Sequence, residues 1–102
     1  MTEANREGVR KPPLDFQKIE KLREYAKLTT AEFASLCGVS RMTYYSWVRG
    51  QPMRPKNEQF VRRVIRMLLG LVQEQKWPEV GVAFLSSDER MQRLNKLLAD
   101  DS

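Results

Sequence analysis

The chain has 102 residues, 41% hydrophobic and 30% charged, with 18 Lys and Arg against 13 Asp and Glu for a net charge of +5. That length suits one compact domain, and that composition suits a globular chain rather than a disordered or fibrous one. No apolar run approaches the roughly 18 residues of a membrane span, and no apolar stretch follows the charged start, so a cytoplasmic location is expected. One cysteine (Cys37) and no histidine exclude an internal disulfide, the usual zinc sites and imidazole-dependent triads. With no Gly-rich phosphate loop and no framed acidic pair either, neither an enzyme, nor a metal, nor a cofactor is expected.

Charge is unevenly spread. Residues 1–76 hold 15 basic and 8 acidic side chains, whereas residues 77–102 hold 3 and 5. Between Ser40 and Arg66, Arg41, Arg49, Arg54, Lys56, Arg62, Arg63 and Arg66 stand against the single acid Glu58, a density suited to a polyanionic partner.

In chain order, residues 1–13 combine charges, Gly8 and Pro12-Pro13 and are read as an N-terminal arm. Phe16, Ile19, Leu22 and Ala26 recur at three to four residues behind the capping Asp15, which predicts a first helix. Thr29 and Glu32 form a capping-box pattern opening a second helix over Ala31–Cys37, with Phe33, Ala34 and Cys37 inward and Gly38 ending it. Ser40 caps a third helix to about Val48, on which Tyr44, Trp47 and Val48 face the first two. A Gly-Pro loop, Gly50–Pro55, leads to the longest helix, Asn57 to about Gln75. Its apolar arc is wider than one core face needs and implies a second buried surface. Trp77-Pro78 stops it. Val80–Leu85 is either strand or coil, and Ser86 with Glu89 caps a last helix bearing the stripe Met91, Leu94, Leu97 and Leu98.

Two helices joined by a tight turn require a small residue where they cross, a glycine at the turn, an apolar plug and two apolar anchors. Ala34, Gly38, Val39, and Tyr44 with Trp47 fill those places in the segment TTAEFASLCGVSRMTYYSWVRG. The segment resembles the helix-turn-helix of the lambdoid phage repressor and Cro family, L-T-Q-E-E-L-A-x-x-x-G-V-S-x-x-x-I-x-x-W-E-x-G. At those positions the chain has Leu28, Thr29, Thr30, Ala31, Glu32, Phe33 and Ala34, then Gly38, Val39 and Ser40, then Tyr44, then Trp47 and Gly50. Three positions depart from it: Lys27 replaces a common glycine, Thr30 a common glutamine, and Tyr44 a smaller aliphatic residue.

The resemblance implies an all-α, compact bundle of about five helices with a DNA-binding unit over residues 14–76 and a C-terminal connection and helix over 77–102. It implies a double-stranded DNA-binding transcriptional regulator of repressor type, associated with the nucleoid and acting on a pseudo-palindromic operator as a homodimer. Arg41, Met42, Thr43, Tyr45 and Ser46 would then meet base edges, and Thr30, Arg49, Arg54 and Lys56 phosphates. Leu69, Val72, Met91, Leu94, Leu97 and Leu98 are the candidate dimer seam. The competing reading has the last helix complete the monomer core. Arg62, Arg63 and Arg66 are read as a solvated face or as further DNA contacts. A competing function is a protein-interaction module, such as an antitoxin or adaptor, with the apolar C-terminal half as its partner surface; salt dependence of binding separates the two.

Overall fold

The computed structural model describes residues 13–101, so the expected arm lies, Pro13 apart, outside the described residues. Among the described residues the chain forms five α-helices and no strand. They are α1 (Phe16–Tyr25), α2 (Thr30–Leu36), α3 (Arg41–Val48), α4 (Pro55–Gln73) and α5 (Ser87–Asp101), with one 3₁₀ turn at Val82–Phe84. Among the described residues no helix is long and apolar enough to cross a membrane.

Local chemistry accounts for the helix starts. Asp15 accepts from the Gln17 amide at 3.0 Å. The Thr29/Glu32 box is complete, with the Thr29 amide donating to Glu32 Oε1 at 2.9 Å and the Glu32 amide to Thr29 Oγ1 at 3.1 Å. Ser40 Oγ accepts from the Thr43 amide at 3.1 Å, and the Ser86/Glu89 box closes at 3.2 Å in both directions. Pro55 occupies the first turn of α4, where its missing N–H breaks no bond.

Four helices end in the same paired carbonyl closure, in which two successive amides turn back and the residue bearing the first is left-handed. At α2 these are Gly38 N to Ser35 O and Val39 N to Ala34 O, both 3.0 Å. Gly38 and Gly50 supply the left-handed residue after α2 and α3, at φ +77° and +96°. After α1 and α4 it is supplied by Lys27 and Gln75, at φ +63° and +61°, where a Cβ meets backbone at a cost of about 1 kcal/mol. The departure at Lys27 is thus accommodated by a strained backbone and not by another turn.

α2 packs on α3, α1 on α3, and α5 on α4. One core unites Ile19, Ala26, Leu28, Phe33, Ala34, Cys37, Tyr44 and Trp47 with Val61, Leu68 and Leu71 of α4 and with Trp77, Val82 and Leu94 beyond it. The boundary expected at residues 76–77 therefore does not divide the core. Trp77 is 1% exposed, and its indole N–H donates to the Ala26 carbonyl at 2.8 Å, so the residue expected only to stop α4 instead fastens its end to the end of α1. Three further expectations are corrected. Val48 is 38% exposed, because it follows Trp47 by one residue and is rotated about 100° from the core-facing side. Leu94 is fully enclosed by this chain's own core, so it is not available to a dimer seam, and Met91, Leu97 and Leu98 are half-buried against that core. Val80–Leu85 is neither strand nor plain coil but a left-handed Gly81 followed by the 3₁₀ turn.

Candidate nucleic-acid interface

The inner side of α3 is an aromatic anchor. Tyr44 is completely buried and Trp47 is 4% exposed. The Tyr44 ring meets Phe33 of α2 edge-on at 5.4 Å and Phe16 of α1 at 5.9 Å, and Trp47 at 6.4 Å. Each such pair contributes about 0.5–1.5 kcal/mol beyond its buried area, so α3 is held from behind by both preceding helices. The Tyr44 hydroxyl also donates to Glu20. Glu20 in turn accepts from Arg23 at 2.8 and 3.0 Å, and Arg23 donates to the Leu28 carbonyl at 2.8 Å, tying α1, the loop before α2, and α3 together. The Arg23 hydrogen bond outweighs burial and holds the Glu20 carboxyl below its ordinary value. Burial and the neighbouring carboxylate push the Tyr44 phenol upward, so it remains a neutral donor.

The outer side is open. Arg41, Met42, Tyr45 and Arg49 are all exposed, Met42 by 79% and Tyr45 by 42%. Thr43 and Ser46 are half-buried and already engaged locally, since Ser40 Oγ donates to Thr43 Oγ1 at 3.0 Å and Ser46 Oγ to the Thr43 carbonyl at 2.7 Å. Of the five residues expected at base edges, three therefore project freely and two also serve the helix. Tyr45, open to either reading by sequence, lies on the outer side. Thr30 is half-buried in the first turn of α2, while Arg54 and Lys56 are exposed at the start of α4.

Ion pairing separates two kinds of cation. Arg62 is joined to Glu58 at 2.8 and 3.0 Å. Arg41, Arg49, Arg54, Lys56, Arg63 and Arg66 take part in no ion pair or hydrogen bond with a described side chain. Of these, Arg41 and Arg49 lie on α3 and at its end, and Arg54 and Lys56 at the start of α4; solvated cations without internal partners suit a phosphate backbone.

The sequence reading missed what holds the rest of the chain to this face. Glu32 and Arg90 are 4% and 7% exposed and meet at 2.7 Å (Arg90 Nη2 to Glu32 Oε2), with Arg90 Nε donating to Oε1 at 3.0 Å. Ser87 Oγ donates to the same carboxylate at 2.5 Å. Arg90 Nη1 donates to the carbonyls of Leu85 at 2.9 Å and Val82 at 3.3 Å. Burial acts to raise the Glu32 carboxyl, but the bonds from Arg90, Ser87 and the Thr29 amide together hold it below its ordinary value. Glu32 was legible as a capping residue; its partner 58 residues away was not.

Burial pushes the Cys37 thiol up to about 12, so it is a small buried apolar residue without thiolate chemistry. Among the described residues no group of three or more Cys, Asp or Glu side chains is placed to hold a metal ion. Compared with known protein families, with curated proteins and with solved structures, the chain matches none.

Proposed function

We propose that this chain is a sequence-specific, double-stranded DNA-binding regulator of transcription of repressor type, in which α2, the turn at Gly38 and α3 act as a helix-turn-helix. The observation that carries the reading is the two-sided character of α3. Tyr44 and Trp47 fix it from behind, and Arg41, Met42, Tyr45 and Arg49 stand exposed in front of it. An anchored helix with an uncovered flank is what insertion into a major groove requires, since the groove admits one helix and reads it through its outward side chains.

In this reading Arg41 pairs with guanine O6 and N7, Met42 and Tyr45 pack on thymine methyl groups, and Thr43 and Ser46 approach base edges from the sides. Thr30, Arg49, Arg54 and Lys56 lie on the flanking phosphates and set register without reading sequence. One α3 reads about half of a typical operator. Two copies on a pseudo-palindromic site, with half-sites about 34 Å apart, complete the recognition.

Selection from a random duplex pool at about 50 mM salt, where phosphate contacts are strongest, tests this proposal. Enrichment of a defined, inverted-repeat sequence is the expected result. A pool that stays random after several rounds contradicts it.

A further inference from the structure

Val80 and Phe84 are the most exposed large apolar side chains among the described residues, at 105% and 94%. They do not belong to a loose loop. Between them Val82 is 2% exposed and anchored in the core. The backbone closes on itself through Val82 N to Glu79 O at 3.1 Å and Phe84 N to Gly81 O at 3.0 Å, and buried Arg90 holds the Val82 and Leu85 carbonyls from beneath. A fixed turn that presents a phenyl ring and an isopropyl group to water marks a contact surface rather than incomplete burial.

The same chain carries a recess of fitting chemistry. Along α4, Leu14, Ile65, Leu69 and Gly70 form the floor of an open groove with Arg66 on its rim. Leu69 is 39% exposed, and a Cβ placed on Gly70 meets nothing within 4 Å, so the missing side chain opens the recess. Charges match across the two surfaces. From Glu79 to Glu89 the chain has three acids and no base. Arg93 engages Glu79 at 3.0 Å and Ser86 engages Glu89, leaving Asp88 four residues after Phe84 without a described partner, as Arg66 is at the groove. Leu94, at the centre of the expected seam on α5, is enclosed by the chain's own core, whereas knob and groove both face water.

We infer that a second copy of this chain docks here, the Val80/Phe84 knob of one copy seating in the α4 groove of the other with the acidic flank against Arg66. The contact forms without DNA, so it stands or falls separately from the regulator reading. Sedimentation equilibrium of the full chain in DNA-free buffer tests it, using Phe84→Ser to remove the knob and Gly70→Gln to fill the groove. Phe84 is exposed and a Cβ on Gly70 meets open space, and unchanged thermal unfolding of each variant confirms the fold. Each variant alone is expected to weaken self-association about tenfold or more, the effect of losing a central aromatic or its pocket. Mixed together, the two are expected to associate more tightly than either alone, because the intact knob of one meets the intact groove of the other. A wild-type chain monomeric at several hundred micromolar, a Phe84→Ser chain that associates like wild type, or a mixture no tighter than its components overturns the inference.

Discussion

The two arginines of α5 and the cations on and after α3 sit in opposite settings. Arg90 is buried, bonded to both oxygens of Glu32 and to two carbonyls, and Arg93 is paired with Glu79. Arg41, Arg49, Arg54 and Lys56 are exposed and have no described partner. The chain plainly can satisfy an arginine internally, and does so where the charge fastens one element to another. On and just after α3 it leaves cations in water, Arg41 on and Arg49 at the end of a helix whose inner side is packed with aromatic rings, and Arg54 and Lys56 at the start of α4. That contrast gives the C-terminal helix an architectural part and, in the proposed function, leaves the cations on and after α3 for contact with phosphate.

The sharpest way to break the contrast is to remove the internal cation. Arg90→Ala leaves the Glu32 carboxylate buried and unpaired, and it should cost about 3–5 kcal/mol in urea denaturation. The pair Arg90→Met with Glu32→Met should lose less, since no buried charge remains. A loss below about 1 kcal/mol for Arg90→Ala, the range of an exposed pair, would deny α5 its fastening role.

Acid probes the same pair. The folded Glu32 carboxyl lies below its ordinary 4.5. Its contribution is therefore complete above the unfolded value and disappears as the pH falls through the lower folded one. Thermal midpoints should be nearly level down to about pH 5 and fall below about pH 4.5, with the fall shallower in Glu32→Gln. An equal fall in both proteins would place the acid-sensitive contact elsewhere.

On the α3 side, Arg41→Ala should lose about 1–3 kcal/mol of discrimination at one base position. Arg54→Ala should lower affinity for every duplex alike and reduce the salt slope by about 1. Identical behaviour of both variants across a binding-site library would remove the division between base and phosphate contacts. The smallest effect is conformational. Lys27→Gly relieves the left-handed strain but adds unfolded-chain entropy, and a net gain of about 0.5–1 kcal/mol is expected in thermal unfolding; a loss would indicate that the Lys27 side chain contributes an interaction of its own.

Sequence alone was most informative where the physics is local. Capping at Asp15, Thr29, Ser40 and Ser86, the left-handed Gly38 and the inward Phe33, Ala34, Tyr44 and Trp47 all depend on residues within four or five positions of one another, and each is visible as a spacing. The Glu32–Arg90 pair and the indole bond from Trp77 to Ala26 span 58 and 51 residues. No periodicity encodes which distant element closes over which. Leu94 illustrates the same limit, because a leucine stripe looks alike whether it meets its own core or a second molecule. The outward flank of α3 was legible because a short helix with two large inward anchors leaves the remaining positions little choice. That Thr43 and Ser46 are engaged by the cap and by the helix backbone was not, since hydroxyl partners follow from coordinates and not from spacing.

The most direct test of the unpaired cations on and after α3 is affinity for a duplex as a function of salt. With Arg49, Arg54 and Lys56 each neutralising a phosphate, log affinity should fall with log salt at a slope of about −3 per bound copy. Binding whose strength is unchanged between about 50 and 200 mM salt, or no complex at the lower concentration, would contradict the account.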